Sequence, residues 1–195
     1  VNEEGVQNLL YSYRIKHAVA IPNCGMIFGW ESDFISVTKS FLAHDHEIKV
    51  SRADWLSELR KINADRGAGG YTNPKQHRSD MLKHAKRISA MVIEGQHVKD
   101  IHLPGRSSDW PSYHHEPPPN YFWMVTTRNV IKYGELPAYA GHIVVRFIDG
   151  KYRLVEIKPA PRLHRVKIFN HQLVALARGL SLRYWKTRGV HISGN

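Results

Sequence analysis

Glu47-Ile48-Lys49 puts a carboxylate and an ammonium two residues apart in a strand-like stretch, and Asp33 lies on the strand expected before it. In extended backbone, residues two apart share a face. Glu47 and Lys49 then point one way, with Ile48 and Val50 turned to the core. If the strand carrying Asp33 pairs alongside, two carboxylates and one ammonium converge. Two carboxylates can hold Mg²⁺, which keeps several of its waters. A divalent ion acidifies a bound water and neutralises charge on a phosphate in the transition state. A neighbouring lysine orients or deprotonates that water. The chemistry within reach is phosphodiester hydrolysis.

The chain carries its own control, because Glu156-Ile157-Lys158 repeats the tripeptide. The first copy has an Asp on the preceding strand and a Ser51-Arg52-Ala53-Asp54 tail leading into a helix. The second runs into Pro159-Ala160-Pro161, which ends the strand. The first copy is therefore the expected site. At the helix entrance Ser51 can cap the helix or bind an oxyanion. Arg52 can contact a phosphate or pair with Asp54. Lys75, Lys83, Lys86 and Arg87 are candidates for phosphate contact. The tail cations Arg165, Lys167, Arg178, Arg183, Lys186 and Arg188 join them. Trp110, Tyr113 and Tyr121 are candidates for stacking on bases.

Composition narrows the partners. The 195 residues suit one domain, and 42% hydrophobic content can fill a core. Net charge is +11 before counting 13 histidines, so nucleic acid, an anionic membrane or an acidic protein is the expected partner. No apolar stretch approaches the roughly 18 residues of a membrane span. The lone Cys24 excludes an internal disulfide and a Cys-rich zinc site, and it points to a reducing, cytoplasmic setting. His44, His46, His114 and His115 cluster without the helical His-x-x-x-His spacing of a zinc hydrolase. His44 and His46 adjoin the candidate strand.

The elements that must position these residues follow from pattern. Asn2 with Glu3 and Glu4 opens a helix over 3–16. A short strand over 17–21 ends at Pro22. Strands over 31–38 and 43–51 flank a tight connection near Lys39-Ser40. A helix follows over 52–62. Gly67 to Gly70 breaks the pattern, and a helix over 75–92 turns Met81, Leu82, Ala85, Ile88 and Met91 inward. Residues 94–120 read as an insertion or surface loop, with Pro117-Pro118-Pro119 extended. A buried strand over 121–125 precedes a hairpin of 141–148 and 151–157 around Asp149-Gly150. A basic helix over 165–188 turns Ile168, Leu173, Leu176, Ala177 and Leu180 inward. This order fits an α/β fold, a mixed sheet flanked by helices.

These motifs resemble the PD-(D/E)xK nuclease superfamily, and most of all its MmcB-like branch of bacterial DNA-repair and phage proteins. The likeness rests on Ile21-Pro22-Asn23, on Glu31-Ser32-Asp33-Phe34-Ile35-Ser36-Val37-Thr38-Lys39-Ser40 and on Glu47-Ile48-Lys49-Val50-Ser51-Arg52-Ala53-Asp54-Trp55. It continues through Asn120-Tyr121-Phe122-Trp123, Leu136-Pro137-Ala138-Tyr139-Ala140-Gly141-His142-Ile143 and Ala160-Pro161-Arg162-Leu163. It covers most of 3–165 and thins over 64–119. The usual Pro before the acidic residue is absent, since Ser32 precedes Asp33. The resemblance implies a restriction-endonuclease-like αβββαβ core and a Mg²⁺- or Mn²⁺-dependent deoxyribonuclease. It implies Asp33 and Glu47 as ligands, the Ile48 carbonyl as a third, and Lys49 as the water-orienting or general-base group. A first-helix acid, Glu3 or Glu4, completes such a site, and Glu31 is a further ligand candidate. DNA is the implied partner. The alternatives are a catalytically silent nucleic-acid-binding module on the same fold, or an adaptor for a DNA-processing protein.

Overall fold

A computed structural model describes residues 1–25, 27–63, 74–93 and 117–189. Helix α1 (Glu3–Tyr13) leads into strands β1 (Val19–Cys24), β2 (Ser32–Val37) and β3 (Ala43–Lys49). Helices α2 (Arg52–Asn63), α3 (Pro74–Lys83) and α4 (Ala85–Ile93) follow. Strands β4 (Tyr121–Thr126), β5 (Ala140–Ile148) and β6 (Lys151–Lys158) precede helix α5 (Asn170–Thr187). The six strands form one sheet in the order of the sequence. The β1–β2, β2–β3 and β5–β6 pairs are antiparallel, whereas β3–β4 and β4–β5 are parallel. The protein is thus an α/β fold built on a mixed sheet.

Each face of the sheet has its own apolar filling. On one face Val6 and Leu10 of α1 pack on Phe34, Ile48, Trp123 and Val125. On the other, Trp55 of α2 and Leu82 and Ala85 from α3 and α4 pack on Phe122 and Met124. Met81, Ile88 and, from α5 and its approach, Leu176 and Ile168 cover Ile21, Ile35 and Val37. Strand β3 is therefore central and buried along its whole length.

Several elements depart from their sequence expectation. Strand β1 runs through Pro22 instead of stopping there. It forms one edge of the sheet, where a missing N–H is tolerated. The expected helix over 75–92 breaks at His84, although Ile88 still donates to the His84 carbonyl at 3.0 Å. Pro117 to Asn120 are buried, not a surface loop. Asn120 donates to the carbonyls of His164 and Val166 and accepts from Ala43 N at 2.8 Å, tying β3 to the approach of α5. Ala177 and Leu180 face solvent, because α5 packs with Leu173 and Leu176 instead. The Asp149-Gly150 turn forms as expected, both residues at positive φ, 51° and 75°. The glycine run at 67–70, Trp110, Tyr113, His114 and His115 lie outside the described residues.

Candidate active site

Strand alternation builds the site. In the β2–β3 register Phe34 faces His46 and Ile35 faces Asp45. Continued by one residue, the same register sets Asp33 opposite Glu47. Asp33, Asp45, Glu47 and Lys49 then share one face, the face covered by α2 and α3. His44 and His46 point to the other face. They stack with Trp123 and Tyr121 beneath Arg14, so neither joins the carboxylates.

Glu47 is fully buried and held by three cations. Its Oε1 accepts from Lys49 Nζ at 2.6 Å and from Lys75 Nζ at 2.8 Å. Its Oε2 accepts from Arg78 Nη1. The other guanidinium nitrogen of Arg78 donates to Glu58 of α2, and Glu58 also lies 3.3 Å from Lys75 and 3.7 Å from Lys49. Burial pushes the Glu47 carboxyl up, but Arg78, Lys49 and Lys75 together hold it well below the usual carboxylate range. Burial pulls Lys49 down, and Glu47, Glu58 and Asp33 more than offset that, so Lys49 is a fixed cation.

Asp33 stands on the other side of this balance. Its Oδ2 accepts from Ile48 N at 2.6 Å, which fixes it against the motif strand. Burial first, and the Glu47 charge second, raise its carboxyl to about 7 despite the Ile48 N–H and Lys49. Asp45 is fully buried, bonded by Trp30 Nε1 at 2.9 Å, and raised by burial to about 6. Asp33 and Asp45 are thus the carboxyls of this face that burial raises, while cations hold Glu47 low.

The donor types, two carboxylates and a backbone carbonyl, are those that a hard divalent cation takes. Mg²⁺ is bound through one or two carboxylates and waters. Asp33, Glu47 and the Ile48 carbonyl are donors of that kind, but both Glu47 oxygens are engaged by Lys49, Lys75 and Arg78, so an ion there would have to displace one of these contacts. Among the described residues no larger group of three or more His, Cys, Asp or Glu is placed to hold a metal. Of the first-helix acids, Glu3 is the one whose charge reaches Asp33. Gln7 joins the two, donating to Glu3 Oε1 at 3.3 Å and to the Asp33 carbonyl at 3.1 Å. Glu4 is exposed on α1, and Glu31 is exposed and precedes β2 rather than sharing its face with Asp33.

The expected phosphate contacts divide. Ser51 caps α2, its Oγ accepting from Asp54 N at 3.1 Å. Arg52 does not pair with Asp54. It forms a two-pronged ion pair with Glu135 and donates to the Val130 carbonyl at 2.9 Å, pinning the segment after β4. Lys75 belongs to the Glu47–Glu58 cluster. Lys83, Lys86 and Arg87 are exposed, as a phosphate contact requires. Sequence reasoning missed Asp45, Glu58 and Arg78. Asp45 stands two before Glu47, Glu58 four after Asp54, and Arg78 three after Lys75, each a same-face spacing. The second tripeptide lies on the exposed edge strand β6, where Glu156 accepts from the Tyr13 hydroxyl at 3.4 Å.

No family model and no curated protein matches this chain. Its fold is similar to the solved structure of the SPO1766 protein of unknown function from Silicibacter pomeroyi. That similarity has a TM-score of 0.52 at 14% identity and covers 97% of this chain and 92% of the other. At that identity the likeness establishes the fold alone.

Proposed function

We propose that this protein is a Mg²⁺- or Mn²⁺-dependent nuclease that hydrolyses DNA phosphodiester bonds, as its resemblance to PD-(D/E)xK proteins implies. The observation that carries the reading is the pairing of Asp33 with Glu47 and Lys49 on one buried face. Glu47 there is balanced by Lys49, Lys75 and Arg78, and Asp33 is fixed against the motif strand by the Ile48 N–H. Asp33, Glu47 and the Ile48 carbonyl would hold the ion. When bound, such an ion supplies an acidified water and stabilises charge on the phosphate. Lys49 orients that water from a position fixed by Glu47 and Glu58. Lys75, less buried than Lys49, is the cation best placed to leave Glu47 for a phosphate oxygen. Arg78 keeps the carboxylates of β3 and α2 together and in register.

The ion-paired cluster also supports a second reading. Three cations already satisfy Glu47, as a structural brace requires, and such a brace suits a silent nucleic-acid-binding module or an adaptor. Metal binding separates the two. The nuclease reading expects Mn²⁺ to raise the melting temperature of the parent and not of Asp33→Asn. It also expects Mn²⁺-supported cleavage of DNA by the parent. Absence of both, with salt-sensitive DNA retention, favours the binding module. No DNA affinity favours the adaptor.

A further inference from the structure

Glu47 has both oxygens taken, and its three cations hold it unequally. Arg78, with a side chain 4% exposed, spans Glu47 and Glu58 with its two terminal nitrogens. Lys49, 8% exposed, stands between Glu47, Glu58 and Asp54. Withdrawing either would strip a buried carboxylate of a buried partner. Lys75 differs. Its side chain is 29% exposed, and from the second residue of α3 it reaches Glu47 Oε1 at 2.8 Å and Glu58 Oε2 at 3.3 Å.

Lys75 is the exchangeable cation of the three. Lys49 and Arg78 alone match the charges of Glu47 and Glu58, so these two carboxylates stay paired when Lys75 leaves. Glu47 Oε1 carries two ammoniums, at 2.6 and 2.8 Å, whose like charges repel at such a distance. The part-exposed ammonium regains water on leaving, whereas the buried cations would lose their carboxylates with less water to replace them. Its own helix does not hold it either. The first turn of α3 is the positive end of the helix dipole and carries no acid.

We propose that Lys75 is a built-in stand-in for the divalent ion at Glu47, an autoinhibitory contact that closes the site against metal. The ion and the Lys75 ammonium take the same Glu47 oxygen in turn. Naming the ion rests on the nuclease reading; the exchange adds the order of events at that site. Anything that draws Lys75 away admits the ion, and by linkage the ion releases Lys75 to the phosphate oxygen assigned to it above. Without substrate, the protein therefore holds metal weakly. Couplings of this kind are typically about 5- to 150-fold in affinity.

The test is a Mn²⁺ titration without DNA, read by the paramagnetic resonance of the unbound ion, on the parent, Lys75→Met and Lys39→Met. Lys75→Met should bind Mn²⁺ about tenfold tighter than the parent. Lys39→Met removes the same charge from the exposed β2–β3 turn, and its affinity should stay within about twofold. Acylation of the lysines of the parent, resolved residue by residue by mass spectrometry, is a second readout that needs no variant. Saturating Mn²⁺ should speed labelling of Lys75 several-fold and leave Lys39 unchanged. In Asp33→Asn it should speed neither. A lysine that repels the ion without moving would keep its labelling rate. Equal Mn²⁺ affinity in Lys75→Met, or Mn²⁺ bound by the parent with Lys75 no more reactive, overturns the proposal and leaves the nuclease reading in place. Mn²⁺ bound by neither the parent nor Lys75→Met removes the ion site itself and sinks both.

Discussion

Arg78 on α3 donates to Glu47 on β3 from inside the protein, and its second nitrogen does the same for Glu58 on α2. One guanidinium thus ties the motif strand to two helices. Removing one partner of a buried pair leaves an uncompensated charge, which typically costs about 3–5 kcal/mol. Arg78→Ala should lower stability by that order in denaturant unfolding. Arg78→Lys should recover only part of it, because an ammonium cannot serve two carboxylates in a planar fork. A loss under about 1 kcal/mol in Arg78→Ala would show that the helices hold the cluster without it.

Asp33 has a folded pKa of about 7, above its ordinary value. Between those values the folded state holds a proton that the unfolded chain has released. Its contribution is therefore fully present below about pH 4 and is lost as pH rises through 7. Asp33→Asn should melt higher than the parent at pH 8, by roughly 2–4 °C for each kcal/mol relieved. Near pH 4 the two proteins should melt alike. A variant that melts lower at pH 8 would mean that the carboxylate is already compensated.

His44 and His46 titrate the other way. Burial, then Arg14, lowers His44 to about 3 and pulls His46 well below its ordinary range. The unfolded chain takes up these protons first, so their stability is present above about pH 6.5 and is lost as pH falls toward 3. Unfolding between pH 6 and 4 should take up protons in proportion to both rings. His44→Gln should make the melting temperature less sensitive to acid over that interval. An unchanged acid slope would place the proton uptake elsewhere.

Glu156→Ala should leave stability within about 0.5 kcal/mol and cleavage unaltered, because β6 is an exposed edge. Loss of cleavage in that variant would move the site to the second tripeptide.

The contrast between Glu47 and Glu156 shows what the sequence could carry. The same tripeptide sits fully buried on a central strand and exposed on an edge, and flanking residues alone distinguish the two. Asp33 before the strand and Ser51 after it are legible, as are the Asp149-Gly150 turn and the inward set Met81, Leu82, Ala85 and Ile88. These follow from local spacing. The cations that meet Glu47 are not legible as such, since Lys75 and Arg78 come from a helix far along the chain. A lysine bound for a buried carboxylate reads in sequence like one bound for solvent. Arg52 is misread for the same reason, its partner Glu135 lying far downstream. Pro22 reads as the end of β1 and is not, because only the sheet order reveals that β1 is an edge.

The most direct measurement is cleavage of single-stranded and duplex DNA by the purified protein in Mg²⁺ and in Mn²⁺, beside Asp33→Asn and Lys49→Met. The parent should cleave in at least one of the two metals. Asp33→Asn should lose both cleavage and its melting shift with Mn²⁺, whereas Lys49→Met should lose cleavage and keep the shift. A parent that cleaves nothing in either metal, or variants that cleave as well as it does, would contradict a phosphodiesterase site at Asp33, Glu47 and Lys49.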